Sequence, residues 1–543
     1  MPADLVLRGG TVLDGTGSPG RREDVAVSGG RVLAVGRDPG IPARRVLDVS
    51  GAVVCPGFID LHSHADFTVM ANPGALTQIT QGVTTLVTGN CGFSPFPVVP
   101  EHAHELIALS GFLADGLDWN WSTAGEFATA VDRLPLAVNV ALQVGHGALR
   151  TAAMGTADRA PTVQELALMR DLLRQAVADG AVGLSSGLIY PPGAYAGSAE
   201  LTGLAGRAAA AGLLYSTHLR DEGDRLGEAV REALDVARRT GVRLQISHLK
   251  SSGRRNWGAV EGALKAIEEA RAEGLDVAAD QYPYSASSTT LTSVLPGRAM
   301  DGGVAGLLAR IADPEQYRRL AAELAAEEGA GFAPDRIVLA DTPQGPFRAY
   351  VGRSVAQIAA ELGVPAGQAV LDILWAQRGQ AGIVHHSMSE DDVRRVMRHP
   401  AVAVASDGWV LGCPGRGLPH PRSLGTFARV LGRYARDERV LELPEAVRRM
   451  TSLPAARLRS RDRGVLRPGA VADLAVFDPD AVTDRATYDR PWQTATGVLH
   501  TVVAGRLVLE DGRATGEAPG RVLRGPGWSG RARPEGEAVS PPS

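Results

Sequence analysis

His62 and His64, in the run CPGFIDLHSHADF, are two imidazoles one residue apart at the end of an apolar segment. Side chains alternate across a strand, so residues two apart point to one side. An H-x-H pair at a strand end therefore aims two nitrogens at one point, as a borderline divalent metal requires. Four more apolar runs finish in metal-binding residue types: VTTLVTGNC at Cys91, LLYSTH at His218, VRLQISH at His248 and AVAVASD at Asp407. Singly, each has an ordinary alternative. A buried histidine can be a hydrogen-bonded core residue, a cysteine a small core hydrophobe, an aspartate a helix cap or turn former. Together they imply a divalent-metal centre suited to hydrolysis, with Asp407 as the carboxylate that takes and returns a proton. Lys250, two residues after His248, is expected on the same side of its strand, where a cation would meet an anionic substrate. Tyr190, closing AVGLSSGLIY, and a hydroxyl of SASS, Ser288, are further candidates for the reacting group or that anion. His146, in VGHG, is expected to be structural.

The elements that must position these residues alternate along the chain. Strand-like runs are GFIDLHSH, VTTLVTG, AVNVALQVGHG, AVGLSSGLIY, LLYSTHL, VRLQISHL, DVAADQYPY and AVAVASDG. Helical periodicity marks VQELALMRDLLRQAVADG, LGEAVREALDVARRTG and VEGALKAIEEARAEG, the last two ending in the glycine that often stops a helix. Eight strands alternating with helices predict an α/β fold, a (β/α)8 TIM-like barrel over residues 56–462, whose chemistry sits at the C-terminal strand ends. A ninth strand-like run, GIVHHSM, is set aside because a helical insertion over about 291–341 displaces the last barrel unit. Residues 1–55 and 463–516 both read as short strands separated by glycine-rich turns. Neither set can bury a sheet alone, so the two are expected to combine into one small β-sandwich. Residues 517–543, rich in Gly, Pro and Arg, are expected to form a flexible tail.

Composition narrows the partners. A chain of 543 residues with a formal net charge of −4 is nearly balanced, and it carries no basic tract. Nucleic acid is therefore not an expected partner. No apolar stretch approaches a membrane span, and the start MPADLVLRGG lacks the pattern of a secretory signal. Three cysteines, Cys55, Cys91 and Cys413, cannot make a disulfide framework and fit a reducing compartment. The expectation is a cytoplasmic enzyme acting on a small molecule; oligomeric state is not legible.

The motifs PGFIDLHSHAD, GVTTLVTGNCGFSP, VGHGALR, YSTHLRDEG, ISHLKSSG, AADQYPYSASST and SDG followed by HPRSLGTFARVLGRY resemble the amidohydrolase superfamily, and within it the N-acyl-D-amino-acid deacylases. GTVLDGTG and GVLRPGAVADLAVFDP match the superfamily's sandwich. The resemblance covers nearly the whole chain. It implies Zn2+ held tightly by Cys91, His218 and His248, with a weaker second position at His62, His64 and Asp407 that shares Cys91. It also implies that Lys250, Tyr282 and Arg422 hold the substrate α-carboxylate. Where many superfamily members bridge two metals with a carboxylated lysine, this chain offers Cys91. It departs from the family in the long link GWVLGCPGRGLPHP between Asp407 and Arg422, which brings Trp409, Leu411 and Cys413 onto the loop after the last barrel strand. With no charge to pair an acidic side chain there, the expected substrates are N-acyl-D-amino acids with apolar side chains. An acidic preference would need a second cation, for which Arg220 and Arg416 are the nearby candidates. The alternatives are a cyclic amidase of the hydantoinase or dihydroorotase kind, which normally needs a bridging lysine, and a non-catalytic barrel scaffold, which would be expected to have lost ligands.

Overall fold

The computed structural model describes residues 2–37, 40–111, 117–329, 331–343 and 345–530. Eight parallel strands form the central barrel: β1 (Phe58–Asp60), β2 (Val83–Thr88), β3 (Asn139–Gly145), β4 (Gly183–Gly187), β5 (Leu214–His218), β6 (Arg243–Ile246), β7 (Val277–Gln281) and β8 (Val402–Val404). Each pairs with the next in chain order. β2 and β3 are buried at every position, as strands covered on both faces must be. The ring closes just past the strand ends. Asp407 N–H donates to the His62 carbonyl at 2.8 Å, and His64 N–H to the Gly408 carbonyl at 2.8 Å.

The three helices read from periodicity form at Val163–Ala178, Leu226–Thr240 and Val260–Ala272. The first is fixed by a capping box between Thr162 and Glu165, and the second stops at Gly241 in a left-handed conformation.

Both chain ends share one nine-stranded sheet, in which Val53–Pro56 pairs antiparallel with Leu474–Phe477. The sheet curls over its own core. Its edge strand Arg31–Gly36 meets the chain before Leu474 through Val32 N–H to the Ala470 carbonyl, enclosing Leu7, Val25, Val54, Val476 and Val502. The expected sandwich is thus one continuous sheet wrapped on itself.

Two expectations need correction. The insertion between β7 and β8 is larger than 291–341 and is not only helical. Ser287–Thr290, Ile337–Asp341 and Gly382–His385 make a three-stranded antiparallel sheet, covered by helices that include Gly303–Ala312 and Ala366–Ala376. GIVHHSM is indeed a strand, but of this sheet. The segment from residue 517 is also not a loose tail as far as residue 530; 531–543 lie outside the described residues. Val522–Leu523 pairs in parallel with β3, and Val522 N–H donates to Asp132 at 2.6 Å. Glycine permits this docking: a Cβ on Gly520 would lie 2.2 Å from the Val138 carbonyl oxygen.

Among the described residues no single helix is long and apolar enough to cross a membrane. The bent pair Val355–Leu362 and Ala366–Ala376 is core, with Ile358, Val370, Leu371 and Leu374 buried in the insertion.

Candidate metal centre and the cleft above it

All six metal-ligand candidates gather at the C-terminal mouth of the barrel. His218 is the last residue of β5, while the others lie just past their strands. Cys91, His248 and Asp407 have φ of 54°, 34° and 50°, the left-handed region that non-glycine residues rarely occupy. Such backbones cost of order 1–3 kcal/mol each and concentrate at functional sites. The Cys91 turn is pinned by close packing: a Cβ on Gly187 would stand 2.0 Å from the Cys91 carbonyl oxygen.

The side chains converge. Cys91 Sγ lies 3.2 Å from His62 Nε2 and 3.4 Å from His248 Nε2. Asp407 Oδ1 lies 3.2 Å from His62 Nε2 and 3.1 Å from His64 Nε2. Single donor atoms of His62, Cys91, His248 and Asp407 all fall within 4.8 Å of one another, and a second such group is His218, Glu222 and His248. This grouping differs from the two triads implied by resemblance, since His62 stands in the inner cluster and His218 on its flank. Both ring nitrogens of His218 are buried without a close hydrogen-bond partner, and a metal ion would satisfy one of them. Thiolate, imidazole and carboxylate together are a donor set suited to zinc.

Charge reinforces the fit. Burial alone would push the Cys91 thiol up, but the imidazoles of His62 and His248 outweigh it and hold the thiol well below its usual value. Burial likewise opposes ionisation of Asp407, yet the Arg422 guanidinium, with His62 and His248, keeps its carboxyl well below the ordinary range. Both shifts favour the anionic form that a cation would meet.

Two acids that sequence reasoning missed support the ligands from outside. Asp280 Oδ1 lies 3.0 Å from His62 Nδ1 and accepts from His248 N–H at 2.8 Å. Its signal was an acid within the otherwise apolar start of β7, VAAD. Glu222 accepts from Lys250 Nζ at 2.5 Å and approaches His248 Nδ1 at 3.2 Å and His218 Nε2 at 3.5 Å. It lies in a loop, where no periodicity marks it. A carboxylate on the outer nitrogen of a metal-binding histidine fixes its tautomer and ring orientation. Glu222→Gln is accordingly expected to weaken zinc binding about 10- to 100-fold, read by competition with a chromophoric chelator. Affinity equal to the parent's would remove Glu222 from this role.

The substrate-binding candidates ring the same cleft, which holds about 630 Å³ and is also lined by His64, Cys91, His218, His248 and Asp407. Lys250 reaches it from the loop after β6 rather than from the strand, and Glu222 and His248 Nδ1 (3.0 Å) hold it. Tyr282 is buried between two cations, with Lys250 Nζ 5.8 Å and the Arg422 guanidinium 4.8 Å from its ring centroid. Arg422 opens the helix Arg422–Arg429, pairs with Asp407 at 2.7 Å and donates to the Ser288 carbonyl at 3.1 Å. Ser288, which lines the cleft, thus also positions Arg422 through its backbone oxygen. Tyr190 stacks edge-on against His218 at 5.0 Å, and burial keeps its phenol protonated, 3.0 Å from Thr289 Oγ1. His146 is buried against Glu200 at 2.8 Å, away from the ligand cluster.

Of the loop after β8, Trp409 is among the described residues lining the cleft; Leu411 and Cys413 are not. Arg220 grips Glu232 with two nitrogens and donates to the Ala194 and Ala196 carbonyls. Arg416 pairs with Asp341 at 3.4 Å. Both already hold an acidic partner, although Arg220 lines the cleft.

Residues 45–509 match the model of the amidohydrolase family. The chain is 40% identical to N-acyl-D-glutamate deacylase of Alcaligenes xylosoxydans xylosoxydans, over 96% of each chain. It is 38% identical to D-aminoacylase of the same organism, over 96% of this chain and 98% of that one. Among solved structures, N-acyl-D-glutamate deacylase from Bordetella bronchiseptica, complexed with zinc and a phosphonate inhibitor that mimics the tetrahedral intermediate, superposes with a TM-score of 0.82. That match has 38% identity and covers 96% of this chain and all of the other.

Proposed function

Because this chain belongs to the amidohydrolase family, we propose that it is a zinc-dependent deacylase of N-acyl-D-amino acids, releasing a carboxylate and a free D-amino acid. The observation that carries this reading is the pair of cations flanking Tyr282 at the edge of a cluster containing Cys91. An anionic group next to a scissile amide is the substrate such a cleft fits. The D configuration and zinc rest on the relatives, whose names and bound ion point the same way.

Cys91, His218 and His248, with His62, His64 and Asp407 beside them, would hold the metal. When bound, it supplies Lewis-acid polarisation of the carbonyl and a more acidic water. Asp407 takes the proton of the attacking water at a carboxylate oxygen and returns it to the amine nitrogen as the tetrahedral intermediate collapses. Arg422, paired with Asp407, keeps that carboxylate ionised before the first transfer and holds it in place for both. Lys250 exchanges its longest contact, 3.4 Å to the His248 carbonyl, for the substrate carboxylate, and the planar guanidinium of Arg422 suits the same anion. The Tyr282 ring lies against both cations.

An apolar side chain on the substrate is favoured by Trp409 and by the partners already held by the arginines about the cleft. Arg220 has Glu232, Arg255 has Asp224, Arg336 has Asp335, and Arg254 lies over Trp257. A hydantoin lacks the free carboxylate these anchors address, and Lys250 is held in an ion pair with Glu222. Three free cysteines, one of them needed as thiolate, fit a reducing cytoplasm.

The test is a panel on zinc-loaded protein: N-acetyl-D- and N-acetyl-L-leucine, N-acetyl-D-glutamate, N-acetyl-D-leucinamide and a hydantoin. N-acetyl-D-leucine should lead. Lys250→Met should lower its kcat/KM by about 10- to 100-fold, the worth of a charge-assisted hydrogen bond, while sparing the amide, and Arg422→Met, which also releases Asp407, should cost the carboxylate substrate more than the amide. Equal losses on both substrates would make these residues structural, and a lead for N-acetyl-D-glutamate would overturn the apolar preference.

A further inference from the structure

Arg457 is a buried guanidinium that the chemistry above leaves unused. It ends the helix Ser452–Arg457 and meets the barrel at the end opposite the metal ligands. Its Nη2 donates to the Leu244 carbonyl at 2.8 Å, and its Nη1 to the exposed Asp276, just before β7. Its Nε donates to Gln245 Oε1 at 3.1 Å. A charge taken out of water is costly unless it is paired and its donors are met, and each guanidinium nitrogen here has an acceptor.

Gln245 lies in β6, where alternation sends Arg243 and Gln245 into the ring and Leu244 and Ile246 outward into the helix-covered core. Its Nε2 donates to Asp280 Oδ2 at 2.8 Å. Asp280 Oδ1 in turn accepts from His248 N–H at 2.8 Å and meets His62 Nδ1 at 3.0 Å. Arg457, Gln245, Asp280 and His62 therefore make one chain of hydrogen bonds through the barrel interior, from its floor to the ligand cluster.

Each link dictates the direction of the next. A guanidinium only donates, so the oxygen of the Gln245 amide faces Arg457 and its NH2 faces Asp280. With Gln245 on one oxygen and His248 N–H on the other, Asp280 accepts through both, and His62 donates to it from Nδ1–H. A neutral imidazole with its proton on Nδ1 has a bare Nε2, and His62 Nε2 lies 3.2 Å from both Cys91 Sγ and Asp407 Oδ1. Turned over, the Gln245 amide would set its oxygen against Asp280, acceptor against acceptor.

Resting on the zinc centre of the reading above, we propose that Arg457 and Gln245 are positioning residues. The arginine fixes the face of the glutamine amide; the amide fixes Asp280 and, through it, the tautomer and ring orientation of His62. Neither is among the described residues lining the cleft, so both act on the metal centre and not on the substrate.

The experiment measures, on the full chain, zinc affinity by competition with a chromophoric chelator and the visible bands of the Co2+-substituted protein. Gln245→Met, Arg457→Met, Arg457→Lys and the double methionine variant are compared with the parent, each checked for folding by its melting temperature. Gln245→Met should weaken zinc about tenfold, the low end of what an outer partner of a metal-binding histidine is worth, and should shift the cobalt bands. Arg457→Met should weaken zinc in the same direction, and Arg457→Lys, which keeps a donor-only cation, should recover part of the loss. The double variant should bind no more weakly than Gln245→Met, because the arginine acts through the amide. Parent-like affinity and cobalt bands in whichever single variants fold, or losses that add in the double variant, would overturn the positioning role and leave the deacylase reading intact. The expected losses of zinc, in a parent that turns over no N-acyl-D-amino acid, would do the reverse.

Discussion

Replacing Cys91 by alanine is expected to strip the tightly held metal and to lower kcat/KM by roughly 10³-fold or more, because Lewis-acid help and an acidified water are worth several kcal/mol. The thiolate is the one soft anion of the cluster, with two imidazole nitrogens within 3.4 Å of its sulfur. Without it, His62 and His248 lose the charge that draws their nitrogens together, and Asp407 alone remains as anion in the inner group. Alanine is no worse suited than cysteine to the left-handed backbone at this position, so the fold should survive the change. Elemental analysis after gel filtration, paired with a melting curve, separates metal loss from unfolding. An active, folded Cys91→Ala protein with its full zinc would sink the ligand assignment.

Asp407→Asn is expected to divide the two roles of that residue. Asparagine keeps the shape and tolerates a φ of 50° better than most side chains, so the barrel seam through its N–H to the His62 carbonyl should hold. The amide cannot accept the proton of the attacking water. Turnover should fall by about 10²–10⁴, the usual worth of general acid–base catalysis, while zinc, still met by Cys91 and the histidines around it, stays. Wild-type kcat in this variant would mean that another group moves the proton.

The barrel was readable because parallel strands buried on both faces leave apolar runs with abrupt polar ends, and GFIDLHSH through AVAVASDG have that form. Ligands were readable for the same reason, each standing at such an end. What escaped was held by geometry that no period encodes. Glu222 reaches His218 and His248 from a loop, and Asp280 hides in a strand already explained by its neighbours. Ser287–Thr290 is a strand made of SSTT, whose polarity suits a surface turn as well as a sheet, so the insertion looked purely helical. Gly520 reads as flexibility in composition and acts as close approach in space. Lys250 arrived in the cleft for a reason different from the strand alternation that singled it out, since β6 ends at Ile246 and His248 turns the chain.

The closing seam of the barrel also sets a schedule for making the protein. Ser406 N–H donates to Asp60 across 346 positions of sequence, and Asp407 meets His62 and His64 at the same place. The wrapped sheet has a still more distant partner, Leu474–Phe477 against Val53–Pro56. During synthesis, at about 5–20 residues per second, both structures wait tens of seconds for their last strands. Until then β1, and β7 once it is made, present open edges, which invite pairing with other chains, and Asp407, the last of the six candidate ligands, is missing. A ribosome-bound chain stopped before Ser406 is therefore the species most in need of a chaperone, and the first point in its life at which the metal centre can be completed is also the point at which the barrel becomes a barrel.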